Sequence, residues 1–306
     1  MRQLVYEISH ATTYAYAGSV AVSHHLLRLT PRQTMRQRCL SHQLSVEPSP
    51  TVNAAHRDYF GNNTHFISVE QSHTELVVTS RCRVALRPAL IPEASETPAW
   101  EGVRARYSAD NSEQSLEAHE FTYASTLVPI GPDFAEYAAP AFAKQRPILD
   151  AVTDLTERIH RDFKFDPTAT AVTTPVQDVF KQRRGVCQDF AQFQIACLRS
   201  MGLPARYVSG YLETEPPPGQ PKLRGADASH AWVSFLCPGH GWIDLDPTNN
   251  CLPSLRHITI GWGRDYSDVA PTRGVLVGGQ SQQMSVAVDV VACGPFEVEP
   301  ESRAQP

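Results

Sequence analysis

RGVCQDFAQFQIACLRSM, residues 184–201, is the stretch from which the rest of the chain can be interpreted. Apolar residues recur in it at helical spacing, which predicts a helix with one buried face: Phe190, Phe193, Cys197 and Met201. Gly202 follows directly, as expected for a helix that ends there. Gly185 loosens the backbone just ahead of Cys187, so Cys187 is predicted at the helix N-terminus.

A cysteine at that position has a chemical advantage over one in the middle of a helix. The aligned peptide dipoles and free N–H groups at a helix N-terminus favour negative charge, which lowers the pKa of a thiol. Cys187 is therefore a candidate nucleophile, whereas Cys197, within the same helix, has the pattern of an apolar packing residue.

Composition limits the possible functions. The chain has 306 residues, enough for one large or two ordinary domains. A net charge of -5 and the lack of a dense Lys/Arg run argue against nucleic acid and anionic membranes as partners. No apolar run approaches the roughly 18 to 20 residues of a spanning helix, so we expect a soluble, cytoplasmic protein. Seven scattered cysteines do not form a disulfide framework.

The first part of the chain is typical of an antiparallel β-sandwich, assigned to residues 1–88. Short runs rich in Val, Ile, Thr and aromatic residues predict strands at 4–8, 26–30, 39–47, 65–70 and 75–86. A turn is predicted at 59–63. Residues 89–145 are rich in proline and are predicted to be a connector with short helices.

A second unit, residues 146–293, is predicted to be the catalytic core, which makes the fold class α+β. A helix is expected over 147–163, and the helix of Cys187 is followed by strands at 205–213, 229–236 and 241–245. A last hairpin is expected over 275–291, with a disordered tail at 294–306. The proline-rich loop at 216–221 is a candidate rim or lid of the site.

Three residues in the core suit nucleophilic catalysis. A thiolate needs a proton acceptor, and that acceptor needs a third group that orients it. Cys187, His230 and Asp246 occur in that order, and the strands that carry His230 and Asp246 are predicted to be neighbours. Asp244 is the alternative third group, although the turn after Asp246 favours Asp246.

Each of these residues also has an ordinary structural interpretation: a packing cysteine, a hydrogen-bonded strand histidine and a turn aspartate. Only their combination indicates a site. A zinc site was considered because Cys237 and His240 have the spacing of a half-site, with Cys251 and His257 downstream. No second closely spaced pair exists, so no metal and no cofactor are predicted.

Longer motifs resemble those of the bacterial transglutaminase-like proteins, whose core is related to papain. In the core, the resemblance is carried by RGVCQDFA (184–191), GLPARYVSGY (202–211), SHAWV (229–233), GWIDLDPTN (241–249), HITI (257–260) and GRDYSDVAP (263–271). LTPR (29–32) and DYFGN (58–62) resemble the small β domain that precedes this core. By this resemblance Cys187 is the nucleophile, His230 the base and Asp246 the orienting carboxylate. The backbone N–H of Cys187 is one candidate oxyanion donor.

The expected reaction is cysteine-dependent hydrolysis of an amide in a peptide or protein, through a thioester. Acyl transfer to an amine is the alternative, since the sequence does not show which acceptor resolves the thioester. Hydrolysis is favoured because the sequence has no calcium loop of the EF-hand type that would restrain a crosslinking enzyme. A scaffold that binds a partner without catalysis is the second class of function, and the complete set of three residues argues against it.

Overall fold

The computed structural model describes residues 3–109, 113–214, 227 and 229–296 and confirms the α+β class. The strands are β1 Gln3–Leu27, β2 Gln37–Glu47, β3 Val52–Arg57, β4 Asn63–Val69, β5 His73–Leu86, β6 Lys164–Phe165, β7 Arg184–Gly185, β8 Ala205–Leu212, β9 Ser229–Cys237, β10 Gly241–Leu245, β11 His257–Gly263, β12 Thr272–Gly278 and β13 Gln282–Phe296. The helices are α1 Trp100–Ala109, α2 Glu113–Glu120, α3 Pro132–Ala138, α4 Ile148–Asp162, α5 Val176–Gln182, α6 Cys187–Ser200 and α7 Tyr266–Val269.

The first sheet is built along β1, a strand of 25 residues. On one side, β13 pairs with the first part of β1 and β12 with the second part. On the other side, β5 pairs with the first part of β1 and β4 with the second part. The partner of β1 therefore changes at a similar level on both of its sides. Tyr14 and Tyr16 from before the bend share an apolar core with Val20 and Leu27 from after it. The sheet therefore folds over itself so that its two halves face each other.

Three predictions for this region need correction. The strands expected at 4–8 and 26–30 are the two ends of β1. The hairpin expected at 275–291 within the catalytic core does not exist, because β12 and β13 both pair with β1. Gly278 and Gly279 have φ of 100° and 78°, which bends the chain without reversing it. The predicted tail at 294–306 is also partly wrong, because β13 continues to Phe296.

The second sheet, in the order β10-β9-β8-β11, carries the predicted site. Helix α6 packs on the face formed by Ala231, Val233 and Phe235, and these residues join its side chains in one apolar core. The predicted helix at 147–163 is confirmed as α4, whose buried side packs in the same core. The buried central helix fixes where its first residue, Cys187, meets the sheet.

The two sheets meet along β11. The Gln37 side chain donates to the Thr259 carbonyl at 2.6 Å and accepts from the Thr259 N–H at 2.8 Å, replacing a neighbouring strand at that point. Arg36 donates to the carbonyl oxygens of Ser254 and His257 at 2.9 and 3.1 Å. The N-terminal sheet thus holds the strand that borders the site.

Helices within the described ranges are all too short or too polar to cross a membrane. The candidate lid at 216–221 lies outside the residues that the structure describes.

Candidate active site

Cys187 is the first residue of α6, as the sequence predicts, and its side chain is half-buried. The residue before it, Val186, is extended, so the helix begins abruptly. The N–H groups of the first turn have no partner within the helix, so Cys187 lies at the positive end of the helix dipole.

A buried carboxylate holds the start of this helix. Asp189 Oδ2 accepts from the Val186 N–H at 2.8 Å and from the Thr170 hydroxyl at 2.6 Å. Burial raises the pKa of Asp189, and these two hydrogen bonds oppose that rise. A Cβ on Gly185 would lie 2.8 Å from Asp189 Cβ, closer than packing allows. Glycine at 185 therefore leaves the space that the capping carboxylate occupies.

His230 and Asp246 come together at adjacent strand ends. β9 and β10 are antiparallel neighbours, with Leu245 opposite Val233. His230 Nε2 donates to Asp246 Oδ2 at 2.7 Å, and the two side chains are 9% and 0% exposed. Cys187 also lies close enough to His230 to raise its pKa. Because Nε2 is engaged by Asp246, Nδ1 is the ring nitrogen left for the sulfur.

These contacts reverse the effect of burial on His230. Burial disfavours the imidazolium, but the hydrogen bonds to Asp246 and Cys187 outweigh it and raise the pKa of His230 to about 10. Burial would likewise raise the pKa of Asp246, but hydrogen bonds from His230, His257 and Asn249 hold it well below its usual range. The arrangement favours an imidazolium between a carboxylate and a sulfur.

Two residues were missed as site residues by sequence reasoning. Asn249 Nδ2 and His257 Nε2 donate to Asp246 Oδ2 at 2.7 and 3.0 Å. Asp246 Oδ1 accepts from the N–H groups of Thr248 and Asn249 at 2.9 and 3.1 Å. The DPTN turn could have indicated Asn249, since aspartate commonly accepts from the backbone two residues on. His257, on another strand, gave no local signal beyond its place in the HITI motif.

Asp244, the alternative third group, is not brought to His230. It lies opposite Ser234 on β9 and within electrostatic reach of Arg36 and Arg206. No hydrogen bond among the described residues connects Asp244 to His230. Asp246 is therefore the carboxylate that the fold places beside the imidazole.

The site also contains a set of donors that a metal ion could use. Ligand atoms of His230, Asp246 and His257 all lie within 4.8 Å of one another, and no other such group occurs in the described ranges. The contacts of 2.7 and 3.0 Å to the carboxylate are hydrogen-bond lengths, and Asn249 donates to the same oxygen. Hydrogen bonds donated to Asp246 therefore explain why these three side chains lie so close together. The half-site considered at Cys237 and His240 does not belong to it.

A cysteine at the start of a buried helix, packed against an antiparallel sheet that holds a hydrogen-bonded His–Asp pair, is the architecture of transglutaminase-like proteins. The chain belongs to the transglutaminase-like superfamily: the model of that superfamily matches residues 135–247. The model of the bacterial transglutaminase-like N-terminal region matches residues 6–85. The resemblance stated from the motifs is thereby confirmed, and His257 lies beyond the matched part of the core.

The chain is also similar to two relatives and one solved structure. An uncharacterized protein of Mycobacterium tuberculosis (strain H37Rv) is 40% identical over 300 residues, covering 95% of this chain and 93% of its own. A protein-glutamine gamma-glutamyltransferase of Pseudomonas aeruginosa is 33% identical over 106 residues, covering 33% of this chain and 16% of its own. A crystal structure from Cytophaga hutchinsonii, described as a candidate cysteine protease, has a TM-score of 0.77 at 20% identity, covering 98% and 94% of the two chains. That likeness shows the fold.

Proposed function

We propose that this protein hydrolyses amide bonds in peptides or proteins with Cys187 as the nucleophile. The observation that carries the proposal is the position of His230, which donates to buried Asp246 at 2.7 Å and lies close enough to Cys187 for that residue to raise its pKa. In this arrangement His230 carries the proton that the leaving amine needs, and the sulfur beside it is placed as the nucleophile. We also propose that the protein is located in the cytoplasm.

The reaction has two stages. The Cys187 sulfur attacks the amide carbonyl carbon, a C–S bond forms, and the oxyanion accepts a hydrogen bond from the backbone N–H at the start of α6. His230 gives its proton to the leaving amine, the C–N bond breaks and a thioester remains. Water then attacks the thioester, His230 accepts a proton from that water, and the C–S bond breaks to release the carboxylic acid. Asp246 stabilises the imidazolium throughout.

Acyl transfer to an amine is the second candidate. The Pseudomonas aeruginosa relative named as a protein-glutamine gamma-glutamyltransferase favours it, although the match covers only 16% of that protein. Both reactions share the thioester and differ only in whether water or an amine resolves it. A glutamine side chain would lose ammonia in the first stage of either reaction.

Alkylation by iodoacetamide tests the nucleophile directly. Cys293, an exposed thiol of the same chain, serves as an internal reference, and buried Cys197 serves as a negative control. Peptide mapping should show Cys187 reacting about tenfold or more faster than Cys293 at pH 6, because an ordinary thiol is almost fully protonated there. Equal rates at the two positions would remove the claim that Cys187 is activated.

A peptide library distinguishes the possible outcomes of catalysis. New amino termini indicate peptide hydrolysis, ammonia without cleavage indicates side-chain deamidation, and incorporation of a fluorescent primary amine indicates acyl transfer. Cys187→Ala should abolish all three, whereas Cys251→Ala, at an exposed thiol, should abolish none. Turnover that survives Cys187→Ala would refute the proposal, and acyl transfer without hydrolysis would favour the second candidate.

A further inference from the structure

We propose that His257 is a positioning residue that holds Asp246 in the orientation required by His230, without itself exchanging protons with the substrate. This inference rests on the proposed function. It extends the site onto β11 and connects the site to the N-terminal sheet.

The contact is direct and fully enclosed. His257 is the first residue of β11, and its Nε2 lies 3.0 Å from Asp246 Oδ2. The side chains are 4% and 0% exposed, so water does not compete for the carboxylate oxygen. A charge-assisted hydrogen bond in such an enclosed place is stronger than one at the surface.

The surroundings of His257 determine which nitrogen carries the proton. Asp246 is a carboxylate that can only accept, so His257 Nε2 is the donor. His257 Nδ1 is buried and has no hydrogen-bond partner among the described residues. A proton on Nδ1 would leave a buried donor unpaired, so the neutral ring with Nε2–H fits. His257 thus supplies a hydrogen bond to Asp246 without adding a second cation beside His230.

His257 approaches the carboxylate from a different element than the other donors. Asn249 comes from the same turn as Asp246 and can move with it, and its Nδ2 is also only 3.3 Å from His230 Nε2. His257 comes from β11, whose start is held by Arg36 through the His257 carbonyl at 3.1 Å. The His257 and Trp232 rings pack edge to face, with their centroids 5.3 Å apart and their planes at 84°. A donor anchored on its own strand fixes the direction of the carboxylate.

Two substitutions at 257 separate positioning from packing. His257→Phe keeps a flat ring of similar size and removes the donor, whereas His257→Gln keeps an amide N–H near the place of Nε2. His25→Phe is the matched control, since His25 is a buried histidine of the N-terminal sheet, 5% exposed, that contacts no site residue in the described structure. For each protein the rate of Cys187 alkylation by iodoacetamide is measured from pH 5 to pH 9, together with the melting temperature.

The expected result is a shift in the pH profile of one variant. His257→Phe should slow alkylation of Cys187 at pH 6 by about tenfold or more, the size typical of lost orienting partners at functional sites, and move the profile to higher pH. His257→Gln should restore the rate to within about threefold of wild type, and His25→Phe should leave the profile unchanged. Coincident profiles for wild type and His257→Phe would overturn the proposal, as would equal slowing by Phe and Gln.

The same experiment separates failure of this inference from failure of the proposed function. If wild-type Cys187 reacts no faster than Cys293 at pH 6, the nucleophile itself is refuted, whatever the variants do. Should His257→Phe not fold, long-range proton–nitrogen NMR on the wild-type protein tests the tautomer without a variant. A protonated Nε2 and a bare Nδ1 on His257 are expected, and a ring protonated on Nδ1 would overturn the proposal.

Discussion

His230 and His10 are both almost completely buried and both make two side-chain hydrogen bonds, yet their charges differ. His10, on β1, lies 2.8 Å from the Tyr211 hydroxyl and 3.0 Å from that of Thr12, and burial lowers its pKa to about 4. His230 faces a carboxylate and a thiol, and its pKa rises to about 10 despite burial. Burial alone makes a histidine neutral, so the identity of its partners creates the charged site.

The largest effect is expected when Asp246, the charged partner of His230, is replaced by a neutral residue. In Asp246→Asn only burial and the thiol act on His230, so its pKa should fall toward that of His10. Proposed amide hydrolysis should fall by roughly 10³-fold or more, as when the aspartate of comparable sites is replaced. Turnover and the pH profile of Cys187 alkylation measure the effect. Asp244→Asn, on the same strand end, is the control, and an equal loss in both variants would contradict the role of Asp246.

A smaller effect is expected when the neutral histidine is removed. His10 has its folded pKa lowered from 6.5 to about 4, so between these values the unfolded chain binds a proton that the folded chain does not. Stability should therefore fall as the pH falls, by roughly 1.5 kcal/mol between pH 6.5 and 5 from this one group. His10→Phe should remove that part of the decline, measured by urea unfolding at both pH values. The same acid slope in the variant would refute the assignment.

The contribution of His230 to stability depends on pH with the opposite sign. Its folded pKa of about 10 lies above the ordinary 6.5, so its stabilising contribution is complete below pH 6.5 and is lost as the pH rises through about 10. Asp246, whose folded pKa is lowered, stabilises above its ordinary value and loses that effect as the pH falls through the folded value. The Asp246–His230 pair is therefore most stabilising between the ordinary pKa values of the two groups, 3.8 for aspartate and 6.5 for histidine.

The smallest of these effects is expected at the start of α6, the helix that carries Cys187. Gly185→Ala would push the Asp189 carboxylate away from the start of α6 and should cost about 1 kcal/mol, the usual value of a lost helix cap. Cys187 alkylation should slow severalfold with it. Gly102→Ala is the control, because Gly102 lies within α1 with no atom in the way, and alanine there should stabilise by roughly 0.5 to 1 kcal/mol. Equal melting temperatures for the two variants would contradict the capping role.

Local patterns predicted much of the core. The spacing of apolar residues places α6 with Cys187 at its first position, and alternation along β9 separates His230 from Val233. These features depend on neighbours in the sequence, which is why periodicity and turn residues can predict them. The transglutaminase-like motifs then predict which residues meet.

Features that depend on distant partners were not predictable in the same way. A strand as long as β1 exists because four strands pair with it, two on each side, and nothing within residues 9–25 indicates those partners. Gly278 and Gly279 are typical of a hairpin turn, but the available edge of β1 makes them a bend. His257 meets Asp246 although β10 and β11 are opposite edges of the sheet, so their contact depends on the assembled fold and not on neighbours in the sequence.

The place of β12 and β13 has a consequence for synthesis of the chain. The free edge of β1 is completed by residues that begin at Thr272, close to the end of the described chain. At translation rates of 5–20 residues per second, β1 waits roughly 15 to 50 s before those partners emerge. During that time one edge of a long strand is open to other nascent chains, a known route to aggregation. Chaperones that cover strand edges should therefore matter more for this protein during translation than after it has folded.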